Sequence, residues 1–285
     1  MQQTRIFRCL VIFTAALLSA CSSMQLAYNY APSLLQYQMD SYLDLNEEQE
    51  GLLAQELQSF QAWHRKDQLP IYAKTLRDWA AKLNTPYVFT PEELLQKQAL
   101  FEQALLTVAE RSAYRLAPLV LTLSDAQRAR LQAEFDKSNK EYAAENADPR
   151  AAESERRERF QERYEDWLGT LTKQQIQTLD QWLAAEPSRA QLWGQERLAR
   201  QRALLQLLAD ARDLPSAEAA AVELHNYFQS LSRYRVADLQ TQREARLQSL
   251  AQLTASLFNS MTEAQRKHLQ ERLLAYAADF DALSQ

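Results

Sequence analysis

Apolar residues recur at three- and four-residue intervals along this chain, and strict alternation is nearly absent. Leu224, Tyr227, Phe228 and Leu231, followed by Leu247, Leu250, Leu253 and Leu257, make one such stripe, whereas the longest alternating run is Tyr87-Val88-Phe89. A period near 3.6 and not 2 predicts helices throughout.

Local signals divide these helices. Pro32 suits a first helical position and starts a helix to about residue 43, after a tether over residues 22–31. Asn46 caps a helix to about residue 66, and Pro70 opens another to about residue 83 beyond a corner at Leu69-Pro70. Thr90, Pro91 and Glu93 form a start signal in which Glu93 returns a bond to the Thr90 amide. That helix runs to about residue 121, and Pro118 should kink or end it. Ser124 caps a helix to about residue 145. The segment from Asn146 to Pro149 is the clearest break, and a charged helix over residues 153–167 follows, ended by Gly169. Thr172 caps a helix to residue 185, Ser188 with Gln191 one to about residue 212, and Thr262 the last, to about residue 283. Ser216 starts a stretch to residue 258 that, if continuous, spans about 64 Å, with a weak stripe around residues 241–244.

Four of these starts share a pattern: Leu45-Asn46-x-x-Gln49, Leu123-Ser124-x-x-Gln127, Leu171-Thr172-x-x-Gln175 and Met261-Thr262-x-x-Gln265. Each is followed four residues later by leucine: Leu53, Leu131, Leu179 and Leu269. The cap side chain accepts from a first-turn amide while the glutamine reaches back to the cap's own amide. Gln49 and Gln175 are 126 positions apart, and Gln127 and Gln265 are 138 apart. These offsets suggest an internal duplication in which each half carries a first and a second capped helix.

The N-terminus carries a different signal. Arg5 and Arg8 precede an apolar run from Leu10 to Leu18, and Leu18-Ser19-Ala20-Cys21 closes it as a lipobox. This is the plan of a bacterial secretory signal, too short for a membrane span. Cleavage between Ala20 and Cys21 would leave Cys21 acylated, and several acyl chains suffice for stable anchoring. Ser22 instead of an aspartate favours the outer membrane. With Cys9 in the signal and Cys21 acylated, no thiol remains for a disulfide or a thiolate metal site.

Composition narrows the functional classes. The chain carries 32 basic and 37 acidic residues, and loss of Arg5 and Arg8 with the signal moves the balance further negative. An acidic balance opposes nucleic-acid binding. Only three glycines occur, Gly51, Gly169 and Gly194, too few for phosphate-cradling loops. His64, His225 and His268 lie far apart, so no zinc site is expected. No nucleophile elbow or zinc-protease helix motif is present, and no cofactor is implied. The alternating Glu and Arg residues from Glu153 to Glu165 read as a solvated, ion-paired helix. The remaining distinctive cluster is Trp63-His64-Arg65. It reads as a binding platform with Asp67 partnering His64, or as the packing of a helix corner in which His64 and Arg65 cap carbonyls.

Two resemblances follow from these motifs. The repeated Leu-Thr-x-x-Gln start resembles that of the Spy-like periplasmic stress chaperones, which implies client binding or regulation of envelope sensors. Lipobox, Tyr28-Asn29-Tyr30, Leu43-Asp44-Leu45 with Gln49, and Trp63-His64-Arg65 before Leu69-Pro70-x-Tyr72 resemble an uncharacterised family of proteobacterial lipoproteins. That second resemblance implies class and location but no mechanism.

The resulting expectation is an all-α protein, an elongated multi-helix bundle of two related halves. Residues 1–20 form the signal peptide, 21–31 a lipidated tether, 32–148 the first half and 149–285 the second. It is expected to be anchored to the outer membrane through Cys21, facing the periplasm, and to act on protein partners by binding and not catalysis. The preferred role is chaperone-like or envelope-stress related; the alternatives are an assembly factor for one envelope complex and a carrier of an apolar ligand. The sequence leaves the oligomeric state open.

Overall fold

The computed structural model describes residues 24–186 and 188–285, so the signal segment, Ala20 and Cys21 lie outside the described residues. All regular structure among the described residues is helical. Helix α1 covers residues 24–43. It is followed by α2 (Glu47–Trp63), a π-helical turn (His64–Gln68), α3 (Leu69–Lys82), α4 (Pro91–Val120), α5 (Asp125–Glu145) and α6 (Pro149–Leu168). The chain continues through α7 (Lys173–Ala185), α8 (Ala190–Asp210), a short 3-10 turn (Ala211–Asp213), α9 (Ala217–Ser230), α10 (Ala237–Thr241), α11 (Arg243–Asn259) and α12 (Glu263–Ser284).

Pro91 is the first residue of α4 as expected, but two other prolines act differently from the sequence expectation. Residues 24–31 are helical and not a tether, and α1 runs through Pro32. Proline cannot donate to the carbonyl four residues back. That orphan, the Tyr28 carbonyl, instead accepts from Gln61 Nε2 at 2.6 Å. At Leu69-Pro70 no corner forms. The ladder widens into the π-turn, with the Leu69 amide donating to the His64 carbonyl, so α2 and α3 join without a break. Pro118 sits inside the last turn of α4, which ends at Val120, close to the expected end.

Other boundaries are also corrected. Asp148 accepts from the Arg150 and Ala151 amides, so α6 begins at Pro149, four residues before its expected start. Arg189 is the N-cap of α8 and no side chain caps it, in place of the expected Ser188–Gln191 pair. The expected long helix over residues 216–258 is three helices. One break falls at Gln242, where the stripe weakens, and a larger one separates α9 from α10. There the buried Glu196 carboxylate of α8 accepts the Arg235 and Val236 amides at 2.8 and 2.9 Å and pairs with Arg200 at 2.6 Å. A helix through this segment would forfeit those bonds to a buried charge, which are worth more than ordinary ones.

Two apolar clusters form the core. One joins Leu43, Leu45, Leu53, Leu119, Leu131, Leu208 and Leu224. The other joins Phe89, Leu168, Leu171, Leu179, Leu257, Leu269 and Leu273. Neither respects the break near residue 148: α9 packs along α4, and α12 along α3. Helix α4, 30 residues long, also touches α2 and α11 and so links the clusters.

Candidate functional site

The four repeated starts meet in pairs. All four are complete capping boxes, with the Asn46, Ser124, Thr172 or Thr262 side chain accepting from the amide of its glutamine. Gln49 Oε1 accepts from the Asn46 amide at 3.1 Å and from Gln127 Nε2 at 2.6 Å. Gln127 Oε1 accepts from the Ser124 amide at 2.9 Å and from Gln49 Nε2 at 3.2 Å. Each Nε2 then donates to the carbonyl two residues before the other cap, at Thr122 (3.0 Å) and Asp44 (3.1 Å). The second pair repeats this arrangement. Gln175 and Gln265 bond each other at 3.0 and 2.9 Å and the Ser260 and Thr170 carbonyls at 3.4 and 2.9 Å.

Every hydrogen-bonding position of these buried amides is thereby used. Glutamate would complete a capping box equally well, but it could not donate to its partner, and two facing carboxylates would repel. Glutamine at all four sites was therefore a legible signal for pairing. Leu45, Leu123 and Leu171 are buried beside their caps, and Met261 packs against the second cluster.

The start at Thr90 departs from the pattern. Thr90 accepts from the Glu93 amide, but the Glu93 side chain turns instead to Tyr87, Lys82 and Lys97.

Trp63-His64-Arg65 holds α1 against α2, α3 and α12. His64 Nδ1 and the Tyr28 hydroxyl are 2.8 Å apart, and the His64 ring also stacks on Phe60 and meets the edge of Tyr72. Arg65 bonds Asn29 and donates to the Leu283 carbonyl at 3.1 Å, capping the end of α12. The Arg111 guanidinium lies over Trp63 at 5.6 Å. Asp67 is exposed and does not partner His64. Burial pushes the His64 pKa down and that of Tyr28 up, to about 12. His64 and Arg65 of the π-turn bond Tyr28 and Asn29 of α1, so the cluster is built into a helix junction.

A cavity of about 330 Å³ lies between α3, α4, α6, α11 and α12. Its walls include Trp79, Phe89, Phe160, Trp167, Phe258 and Leu273. Tyr164, on the same wall, bonds Thr254 at 2.8 Å, so its hydroxyl is matched. Three cations line it. Lys82 bonds Glu93 at 2.8 Å, and Lys97 bonds Glu93 at 3.3 Å while lying over Trp79 at 4.4 Å. Hydrogen bonding to Glu93 raises the Lys82 pKa; burial raises that of Glu93, but Lys82, Tyr87 and Lys97 outweigh it and the net shift is downward. Arg163 also lines it and lies over the Phe160 ring at 5.9 Å, with no ion pair among the described residues.

The sequence reading missed this cavity. The charge pattern reads α6 as solvated, yet Phe160, Tyr164 and Trp167 form an aromatic stripe that faces inward between the charges. That 3–4 spacing was the available signal.

Among the described residues no group of three metal-ligating side chains converges, and no helix is long and apolar enough to cross a membrane. The fold and this cavity define an all-helical protein with an aromatic-lined hollow between its helices. By sequence it belongs to a family of unknown function, DUF6279, whose model matches residues 41–235. No curated protein and no solved structure matches.

Proposed function

We propose that this is a lipoprotein held at the periplasmic face of the outer membrane through Cys21, which acts without catalysis by taking an apolar ligand between its helices. The aromatic-walled cavity carries this reading. Its volume is in the range of small-molecule sites, and each ligand methylene moved into it from water contributes about 0.8 kcal/mol. The membrane is the nearest source of such a ligand for an acylated protein. Helix α1 supports the placement: Leu26, Tyr30, Leu34 and Tyr37 are exposed on it, beginning five positions after Cys21. The paired glutamines support two related halves, since each clasp closes within one of them.

The repeated motif no longer argues for client capture, because its glutamines and leading apolar residues are used inside the fold. A chaperone-like role finds support instead in Leu100, Phe101 and Leu105, exposed together on α4.

Native mass spectrometry of the protein purified from envelope tests the proposal. A retained apolar mass that is lost when Leu94→Trp fills the cavity is expected. A ligand-free protein that instead slows aggregation of an unfolded client would favour the chaperone role. Palmitate labelling that survives Cys21→Ala would overturn the anchor.

A further inference from the structure

A second cavity, also about 330 Å³, adjoins the apolar one. Phe160 and Arg163, on neighbouring turns of α6, line both, so the two meet at these side chains. The second has the opposite chemistry. Five arginines line it, Arg156, Arg159, Arg163, Arg189 and Arg246, against the carboxylates of Glu145 and Glu155.

Three of these guanidinium groups are committed. Arg159 pairs with Glu155, Arg156 with Glu153 and Arg189 with Glu186, at 3.3, 2.7 and 3.4 Å. Arg156 also donates to the Glu186 carbonyl at 2.6 Å. Arg163 and Arg246 differ: neither has a carboxylate within ion-pair distance or a side-chain hydrogen bond among the described residues. They rest on aromatic faces, Arg163 over Phe160 at 5.9 Å and Arg246 over Trp193 at 5.7 Å. Burial and then Arg189 push the Arg246 pKa below its ordinary value, with Arg156 adding to the fall and Tyr234 and Glu186 opposing it. Guanidinium stays charged in proteins, so the crowding of these arginines is relieved by binding an anion and not by losing a proton.

We propose that this arginine cavity binds a phosphate group, and that the group is the head of an amphiphile whose tail occupies the adjoining aromatic cavity. The head-and-tail assignment rests on the apolar-ligand reading above; the phosphate assignment does not. Two uncommitted planar guanidinium groups match a phosphate monoester, which accepts paired N–H donors from each and carries close to two negative charges.

The test uses the full chain bearing Cys21→Ser, so that its own acyl chains do not compete. Tryptophan fluorescence follows binding of n-decyl phosphate, n-decanol and inorganic phosphate. Decyl phosphate is expected to bind at least about tenfold more tightly than decanol, the effect of charge-assisted bonds to the head. Arg246→Gln with Arg163→Gln should remove that advantage and leave decanol binding unchanged, and Arg246→Lys should restore part of it. These substitutions orphan no carboxylate, and unchanged thermal melting verifies the fold. Arginine-dependent binding of inorganic phosphate would support the site with free phosphate as a sufficient ligand. If phosphate alone binds, the tail assignment falls and the anion site stands. Equal affinities for decyl phosphate and decanol, unaffected by the arginine variants, would overturn the anion site while leaving the apolar cavity intact.

Discussion

Gln175 and Gln265, 90 residues apart in sequence, bond each other through both side-chain amides at 3.0 and 2.9 Å while each also secures the start of its own helix. One residue type thus performs a local task and a long-range one. Removing either member leaves one N–H and one oxygen lone pair of its partner's buried amide without a match.

Gln175→Leu should therefore destabilise the protein by about 2–3 kcal/mol, more than the roughly 1 kcal/mol of a lost cap. Gln175→Leu with Gln265→Leu should cost less than the sum of the single changes, because no amide is then left facing a void. Urea unfolding of the four species checks both statements. Strict additivity would mean that the two side chains are energetically independent.

The His64 junction predicts a pH response. Its folded pKa lies below the ordinary 6.5, so between the two values the unfolded chain binds more protons than the folded one. Stability should accordingly fall as pH drops below about 6.5. The bond to Tyr28 localises the effect, so α1 amides should exchange faster at mildly acidic pH than at neutral pH. His64→Phe keeps the stacking on Phe60 and should flatten this dependence; an unchanged slope in that variant would remove His64 as the cause.

Arg65→Ala should loosen two helix ends at once. Its guanidinium holds Asn29 of α1 and the Leu283 carbonyl of α12. Hydrogen exchange should quicken in both segments and remain unchanged in α7, with Arg65→Lys recovering only part because an ammonium lacks the planar fork.

Glu196→Ala removes a buried carboxylate that serves Arg200 and two amides of the segment between α9 and α10. A loss of about 3 kcal/mol is expected, since Arg200 is left without its partner. Burial raises the Glu196 pKa, but the bonds from Arg200, Val236 and Arg235 outweigh it and lower it overall. Its contribution is then present above the ordinary carboxylate value of 4.5 and lost as pH falls below it. Acid titration of wild type against Glu196→Ala reads this directly.

Much of this architecture is written locally. Asn46, Thr90, Ser124, Thr172, Ser216 and Thr262 are N-caps as their sequence context predicts, because a cap is a bond within four residues. Gly169 ends α6 with φ of 72°, a conformation glycine adopts without a Cβ penalty. Pro91 opens α4 as its context predicts, but Pro32 misled, since whether a helix can run through a proline depends on what satisfies the carbonyl behind it. For Pro32 that is Gln61, whose proximity no local pattern announces.

By itself, the sequence determined that the chain is helical and where most helices begin, since backbone bonds and their caps are settled by near neighbours. Only the tertiary structure decided that the four glutamines meet in pairs, that α12 lies along α3, and that Glu196 opens the chain between α9 and α10. It also decided that the charges of α6 enclose cavities. These features depend on groups brought together from far along the chain. Their energies come from burial and from polar groups that have no alternative partner once water is excluded.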